Sequence, residues 1–408
     1  MWRYKFLLFL FFIPLTLYTL WQSIRASEFR YFIERVGLRF KTKIKPNGLW
    51  FHAASVGEIN AIIPLIEKII LSHPNTIITV TSNTITSASV FKKHTTENIQ
   101  HLYFPLDYKY AIYNIFKKIK PKAIFIVETE FWPNFYTTAH KENIPLTIIN
   151  GRISEKTLHA KPWLKTIYAK ILPLLTQVHA RSKLDQSHFI KLGMPHTKVD
   201  VLGNIKFYAT DNINISPVDL GRKYVLVAST REEEERAIVK AWQEAEQNNH
   251  LLVIVPRHPQ RRNDILNQLK SFNLNIAVRS KNESISNSTD IYIADTIGEL
   301  KQFIAGSEFV IMGGSFVKKG GQNILEVAQL GKSTVFGLDM RNFEEEAQLF
   351  KKYNAGVQCS LSKLPHYINL FLNDLDFRNI YENNSKTLIG KNDNLSLYYS
   401  KIKPYNKC

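Results

Sequence analysis

The chain has 408 residues, enough for two domains of ordinary size, and its hydrophobic (45%) and aromatic (12%) content is that of a folded protein. A formal net charge of +18 points to a polyanionic partner, yet no zinc-finger spacing or aromatic-basic recognition motif directs that charge to nucleic acid. Cys359 and Cys408 are the only cysteines, too few for a disulfide framework or a metal cluster, which fits a reducing compartment. Phe6 to Trp21 runs without a charged residue, short for a full span but long enough for a signal-anchor or an interfacial helix. No Ala-x-Ala cleavage site follows it. Arg3 and Lys5 precede the run, whereas Arg25, Arg30, Arg35, Arg39, Lys41, Lys43 and Lys45 follow it, an asymmetry that keeps the body of the protein in the cytoplasm. Residues 1–24 therefore read as a membrane anchor and 25–46 as a basic segment drawn to an anionic inner-membrane surface. A core helix is the competing reading, but the run has no polar face.

From Leu49 onward short apolar runs alternate with amphipathic stretches, as βαβ units do. Strands are expected at Leu49–Ala53, Thr76–Thr81, Ala123–Val127, Leu146–Ile149 and Gln177–Ala180, with a helix over Glu58–Leu71. The polar stretch Ala209–Pro217 reads as a linker between domains at 47–210 and 218–385, followed by a tail at 386–408. The second series places strands at Tyr224–Ala228, Leu251–Val255, Leu274–Val278, Ile291–Ala294, Phe309–Met312 and Thr334–Phe336, and a helix over Ile324–Leu330. The fold class is α/β: two doubly wound, Rossmann-like domains facing across a cleft, behind an N-terminal membrane helix.

Polar residues gather where these strands end. Ser55-Val56-Gly57-Glu58 puts a carboxylate at a helix N-terminus, where it either complements the dipole or serves as a general base. Glu128 and Glu130 follow another buried strand, before Trp132-Pro133-Asn134; Arg152 after Asn150-Gly151 is free to pair with either. Lys206 is a cation at the hinge. In the second half, Ser229-Thr230-Arg231 offers hydroxyls to a phosphate, and Pro256 aims Arg257 toward the loop layer. Gly313-Gly314-Ser315 and Gly320-Gly321-Gln322-Asn323 flank a loop before Ile324-Leu325-Glu326, a pattern that suits close approach of a nucleotide phosphate, with Glu326 near the ribose. No HExxH, CxxC pair or DxD triplet occurs at a strand end, so no metal is expected.

Taken in order, the segments Ser55–Glu58, Glu128–Asn134, Asn150–Ser154, Gly203–Phe207, Ala228–Glu235, Val255–Arg261, Asp295–Leu300 and Gly313–Glu326 resemble one family. It is that of the bacterial 3-deoxy-D-manno-octulosonic acid (Kdo) transferases, membrane-anchored GT-B glycosyltransferases of lipopolysaccharide synthesis. The resemblance implies inverting transfer of Kdo from CMP-Kdo to the lipid A precursor lipid IVA, without a bound cofactor or metal, at the cytoplasmic side of the inner membrane. It assigns Glu58 as general base, with Glu128, Glu130 and Lys206 around the reacting centre. It also assigns Pro256, Arg257, Ile297, Gly298, Glu299, Asn323, Ile324, Leu325 and Glu326 to CMP, and Gly313, Gly314, Ser315 and Gln322 of the glycine-rich loop are expected beside them. The chain departs from the family's usual residues at Tyr208, Arg231 and Gln322. Two other readings stay open: a membrane-associated GT-B enzyme using a UDP-sugar, and a nucleotide-binding membrane scaffold without turnover.

Overall fold

The computed structural model describes residues 2–40, 43–207, 215–391 and 394–406. Lys41, Tyr208, the first part of the linker and Cys408 lie outside the described residues. The chain divides into two compact units, one formed by residues 1–207 with 394–408, the other by 208–393.

The first unit holds a seven-stranded parallel sheet. Its strands are β1 (Leu49–His52), β2 (Ile78–Ser82), β3 (Ile99–Tyr103), β4 (Ala123–Val127), β5 (Leu146–Gly151), β6 (Gln177–Ala180) and β7 (Val199–Val201), in the order β3-β2-β1-β4-β5-β6-β7. Trp50, Ile124, Ile126 and Phe135 lie at its centre with essentially no exposure. The central strand β4, Ala-Ile-Phe-Ile-Val, reads as a continuous apolar run because helices cover both faces. The second unit repeats the plan with β8 (Tyr224–Thr230), β9 (Leu251–Pro256), β10 (Ile276–Val278), β11 (Ile291–Ile293), β12 (Val310–Met312), β13 (Thr334–Phe336) and β14 (Val357–Gln358), ordered β10-β11-β9-β8-β12-β13-β14. In each sheet the strand order reverses beside the first strand, between β1 and β4 and between β8 and β12. Those are the switch points where open α/β sheets bind ligands. Two Rossmann-like units of this kind are the GT-B composition.

The N-terminus differs from the single expected helix. Two helices form, α1 (Trp2–Leu10) and α2 (Phe12–Arg25), bent by 53°. Pro14 accounts for the break: it has no N–H to donate, and its ring collides with the carbonyl four residues back, Leu10, where α1 stops. No single helix among the described residues is long and apolar enough to cross a membrane; the bent pair passes by length and composition only together. The basic segment also differs from a purely solvated one. Residues Phe29–Val36 form helix α3, and Tyr31, Glu34 and Val36 are buried in the first unit. Arg35 donates to the Phe104 carbonyl at 2.6 Å and Lys45 to Glu97 at 2.6 Å, so these cations face protein acceptors rather than headgroups.

The chain returns to the first unit at its end. Helix Asn394–Ile402 packs on α4 (Val56–Ser72), the helix that carries Glu58. The buried Tyr398 hydroxyl accepts from the Asn150 N–H at 3.1 Å and donates to the Gly203 carbonyl at 2.9 Å. Tyr398→Phe strands both backbone groups, and unmade buried hydrogen bonds cost about 1–3 kcal/mol each. Chemical denaturation should show a loss of about that size; an unchanged midpoint would mean water replaces the hydroxyl.

Candidate active site

In the first unit four predicted side chains converge on the β1/β4 switch point. Ser55 caps α4, its Oγ accepting from the Glu58 N–H at 3.3 Å, and Glu58 returns the bond: its two oxygens accept from Ser55 Oγ (2.8 Å) and the Ala54 N–H (2.7 Å). This is a capping box, so the structural role weighed for Glu58 is real. Each carboxylate oxygen keeps a further lone pair, and a second role remains open to it. Burial and the nearby negative charge of Glu128 push Glu58 up to about 7. A carboxylate whose proton affinity is raised to near neutrality is well matched to accept a proton as a general base.

Glu128 stands at the end of β4 in a left-handed conformation, φ 59°, and Asn150 at the end of β5 does the same at 54°. Non-glycine residues pay for that conformation, and such positions cluster at functional sites. Here the turn after β4 presents Glu128 to Lys206, whose Nζ lies 3.7 Å from Oε1. Glu130 is held by Trp132 Nε1 at 2.7 Å and by Asn83 Nδ2 at 3.4 Å; burial raises its proton affinity while those bonds and the charge of Arg35 oppose the rise. Arg152 is not the partner expected: it is exposed, and among the described residues Lys206 takes Glu128 instead. Sequence reasoning missed Asn83 and Arg35, the latter donating to Asn83 Oδ1 at 3.1 Å. The only signal for Arg35 lay in the amphipathic pattern of α3, hidden inside a basic run.

The second unit places its segments around the β8/β12 switch point, but their roles divide. Gly313 N–H is used by the Ala228 carbonyl at 2.8 Å, Gly314 N–H by Glu234 Oε1 at 2.5 Å, Gly320 N–H by Asp339 at 2.8 Å and Gly321 N–H by the Gly314 carbonyl at 2.8 Å. Ser315 is buried, donating to the Met312 carbonyl and accepting from Gly337 N–H. These bonds lock the loop and occupy the glycine N–H groups. Ile324 and Leu325 are likewise buried in the core and offer a ligand no side chain. Gln322 and Asn323 are among the loop residues whose N–H groups have no partner among the described residues. The helix they precede is short, Leu325–Gln329, so its dipole adds little, and Asn323 binds the Glu326 carboxylate at 3.0 Å.

The remaining segments follow strands β9 and β11 of the same sheet. Arg257 is exposed after β9, and its N–H ties back to the Thr230 carbonyl at 3.0 Å, with Pro256 ending the strand. Ile297 stands 88% exposed beside Gly298, which takes a φ of 96°, while Glu299 is gripped by two Arg279 nitrogens at 2.5 and 2.8 Å. Two of the three departures from the family's usual residues, Arg231 and Gln322, both lie beside Gly314. A Cβ built on Gly314 would lie 3.1 Å from Gln322 Nε2 and 3.3 Å from Arg231 Cγ, and Arg231 Nη1 contacts His258 Nε2 at 2.7 Å. Glu234, not foreseen, is the tie between loops: fully buried, it accepts from the N–H groups of both Arg231 (2.6 Å) and Gly314.

A family model described as 3-Deoxy-D-manno-octulosonic-acid transferase (kdotransferase) matches residues 30–209. A 3-deoxy-D-manno-octulosonic acid transferase of Rickettsia typhi is 30% identical over 402 residues, 93% of this chain and 85% of that protein. The chain belongs to the Kdo transferase family. It is a glycosyltransferase. The Kdo transferase of Haemophilus influenzae is 29% identical across 94% of this chain and 93% of its own length. Among solved structures, a glycosyltransferase from Rickettsia africae matches with a TM-score of 0.60 at 16% identity, covering 88% of this chain and 98% of that one, a likeness of fold alone.

Proposed function

We propose that this transferase moves Kdo from CMP-Kdo onto lipid IVA, with inversion at the anomeric carbon, at the cytoplasmic face of a bacterial inner membrane in lipopolysaccharide core biosynthesis. The observation that carries the reading is the carboxylate cluster at the first unit's switch point, centred on a Glu58 raised to about 7. In the proposed reaction Glu58 accepts the proton of the acceptor hydroxyl as its oxygen bonds to the anomeric carbon and the bond to the CMP oxygen breaks. Glu128 and Glu130 stabilise positive charge developing on the sugar, and Lys206 keeps Glu128 in place. In the second unit the N–H groups of Gln322 and Asn323 bind the donor phosphate, assisted by Arg257 and by the fixed charge of Arg231. No step is routed through a metal.

The decisive assay incubates the purified full chain with CMP-Kdo and lipid IVA and weighs the product. A mass gain of one or more Kdo residues with release of CMP is expected, together with tighter binding of CMP than of UDP in a titration. Tighter UDP binding would move the protein to a UDP-sugar transferase, and nucleotide binding without any product would make it a scaffold.

A further inference from the structure

Helices α1 and α2 carry two different faces along their whole length. Tyr4, Leu8, Leu15, Thr19 and Ser23 recur at helical spacing and turn toward the protein: Tyr4, Leu8 and Leu15 pack on the first unit's apolar clusters, while Thr19 and Ser23 are buried. Polar bonds fix that face. The Tyr4 hydroxyl donates to Asp107 at 2.7 Å, and the same buried carboxylate accepts from the N–H groups of Asn134 (2.8 Å) and Phe135 (2.9 Å). Tyr108 donates to the Leu8 carbonyl at 3.2 Å, and Tyr31 donates to Gln22 at 2.8 Å. On the opposite face Phe6, Phe9, Ile13, Leu17, Trp21 and Ile24 are each at least 53% exposed.

Contiguous apolar surface of this kind marks a partner, and its surroundings say which. Arg3, Lys5, Arg25 and Arg39 are exposed beside it, and the chain has no Asp or Glu before Glu28. At 1.5 Å per residue α1 is about 14 Å long and α2 about 21 Å. Neither alone reaches the roughly 30 Å of a hydrocarbon core, and the pair reaches that length only together, across a 53° bend. A crossing helix is surrounded by lipid at its middle. This pair instead keeps one side on Tyr108 and Asp107, and following it across a bilayer would drag a buried carboxylate into hydrocarbon. We propose that α1 and α2 lie in the plane of the membrane as a one-sided lipid-docking face for an anionic bilayer surface, with residue 2 on the same side as the rest of the chain. The proposal does not depend on the reaction catalysed.

Three measurements on the full chain test it. Protein-free vesicles containing phosphatidylglycerol should bind the wild type. Phe9→Glu and Leu17→Glu, both at exposed positions, should leave the circular dichroism unchanged and each weaken that binding roughly tenfold. A protease-cleavable peptide placed ahead of residue 1 should be cut in inverted inner-membrane vesicles and spared in spheroplasts. With Cys359 and Cys408 replaced by serine, Leu8→Cys and Ala111→Cys should cross-link on oxidation in membranes. Failure of the wild type to bind protein-free vesicles would assign the face to a protein partner instead. Cleavage in spheroplasts, or the absence of the cross-link, would show that the pair leaves the first unit and spans.

Discussion

Glu58→Gln is expected to lower turnover by roughly 10²–10⁴-fold with CMP binding nearly unchanged, because a general base contributes about that factor and the proposed base Glu58 belongs to a different unit from the proposed nucleotide loops. The substitution preserves shape, and the amide oxygen keeps one of the two capping bonds, so the fold should persist. The pH profile supplies an independent readout. Burial and Glu128 raise Glu58 to about 7, so the basic form is lost as pH falls through that value. Turnover of the wild type should rise with pH up to about 7 and then level off, with the inflection belonging to the coupled carboxylates rather than to one of them. The variant should lack that limb. If Glu58→Gln kept most of its activity while Glu128→Gln or Glu130→Gln abolished it, the base would lie in the second carboxylate motif.

Glu234→Ala should act on the other substrate. It leaves the buried N–H groups of Arg231 and Gly314 without an acceptor, at about 1–3 kcal/mol each, and frees the two loops on either side of the β8/β12 switch point. CMP affinity should fall at least about tenfold, the equivalent of roughly 1.4 kcal/mol, and the thermal midpoint should fall with it. Glu234→Gln should restore most of both, since one amide oxygen can serve the same two donors. Burial raises Glu234 to about 7 from an ordinary 4.5. A raised carboxyl stabilises the fold while both states are protonated, and that advantage drains away between about pH 4.5 and 7 as the unfolded chain ionises first. The glutamine variant should therefore gain stability relative to wild type across that window. Calorimetric titration with CMP and unfolding at pH 5 and 8 check both halves. A Glu234→Ala protein that binds CMP normally would show the loops hold without the tie.

What could be read from the chain follows from where the physics is local. Buried parallel strands such as Ala123–Val127 and Leu251–Val255 are apolar or β-branched runs between turn signals, and both occur where expected. β3 was not expected, because Ile99-Gln100-His101-Leu102-Tyr103 has polar residues at its centre. Distant partners make them buriable: Gln100 bonds Thr79 and the Lys45 carbonyl, and His101 bonds Ser82. β7 and β14 are too short to leave a pattern. At the sites, Glu58 and Glu128 were legible because they follow predicted strand ends, Lys206 was read as a hinge cation after Gly203-Asn204, and the folded chain brings the three near one another. Gly313 and Gly314 were legible as a turn before a helix, but no sequence shows that Ala228 and Glu234 take their N–H groups. Asn83, Arg35 and Glu234 act through contacts with residues far away along the chain, and only the fold reveals those.

The return of helix Asn394–Ile402 to the first unit also bears on how the chain is made. A ribosome completes all seven strands of the first sheet before it begins the second unit, but the helix that seals Asn150 and Gly203 emerges only after that unit is finished. At ~5–20 residues per second the intervening stretch takes roughly ten to forty seconds to synthesise. Throughout that interval the second unit can close around its own core, while the first waits with the flank of α4 uncovered. Nascent chains arrested before residue 394 should therefore keep the first unit sensitive to protease and chaperones, and the last dozen residues act as the bolt that ends its vulnerability during translation.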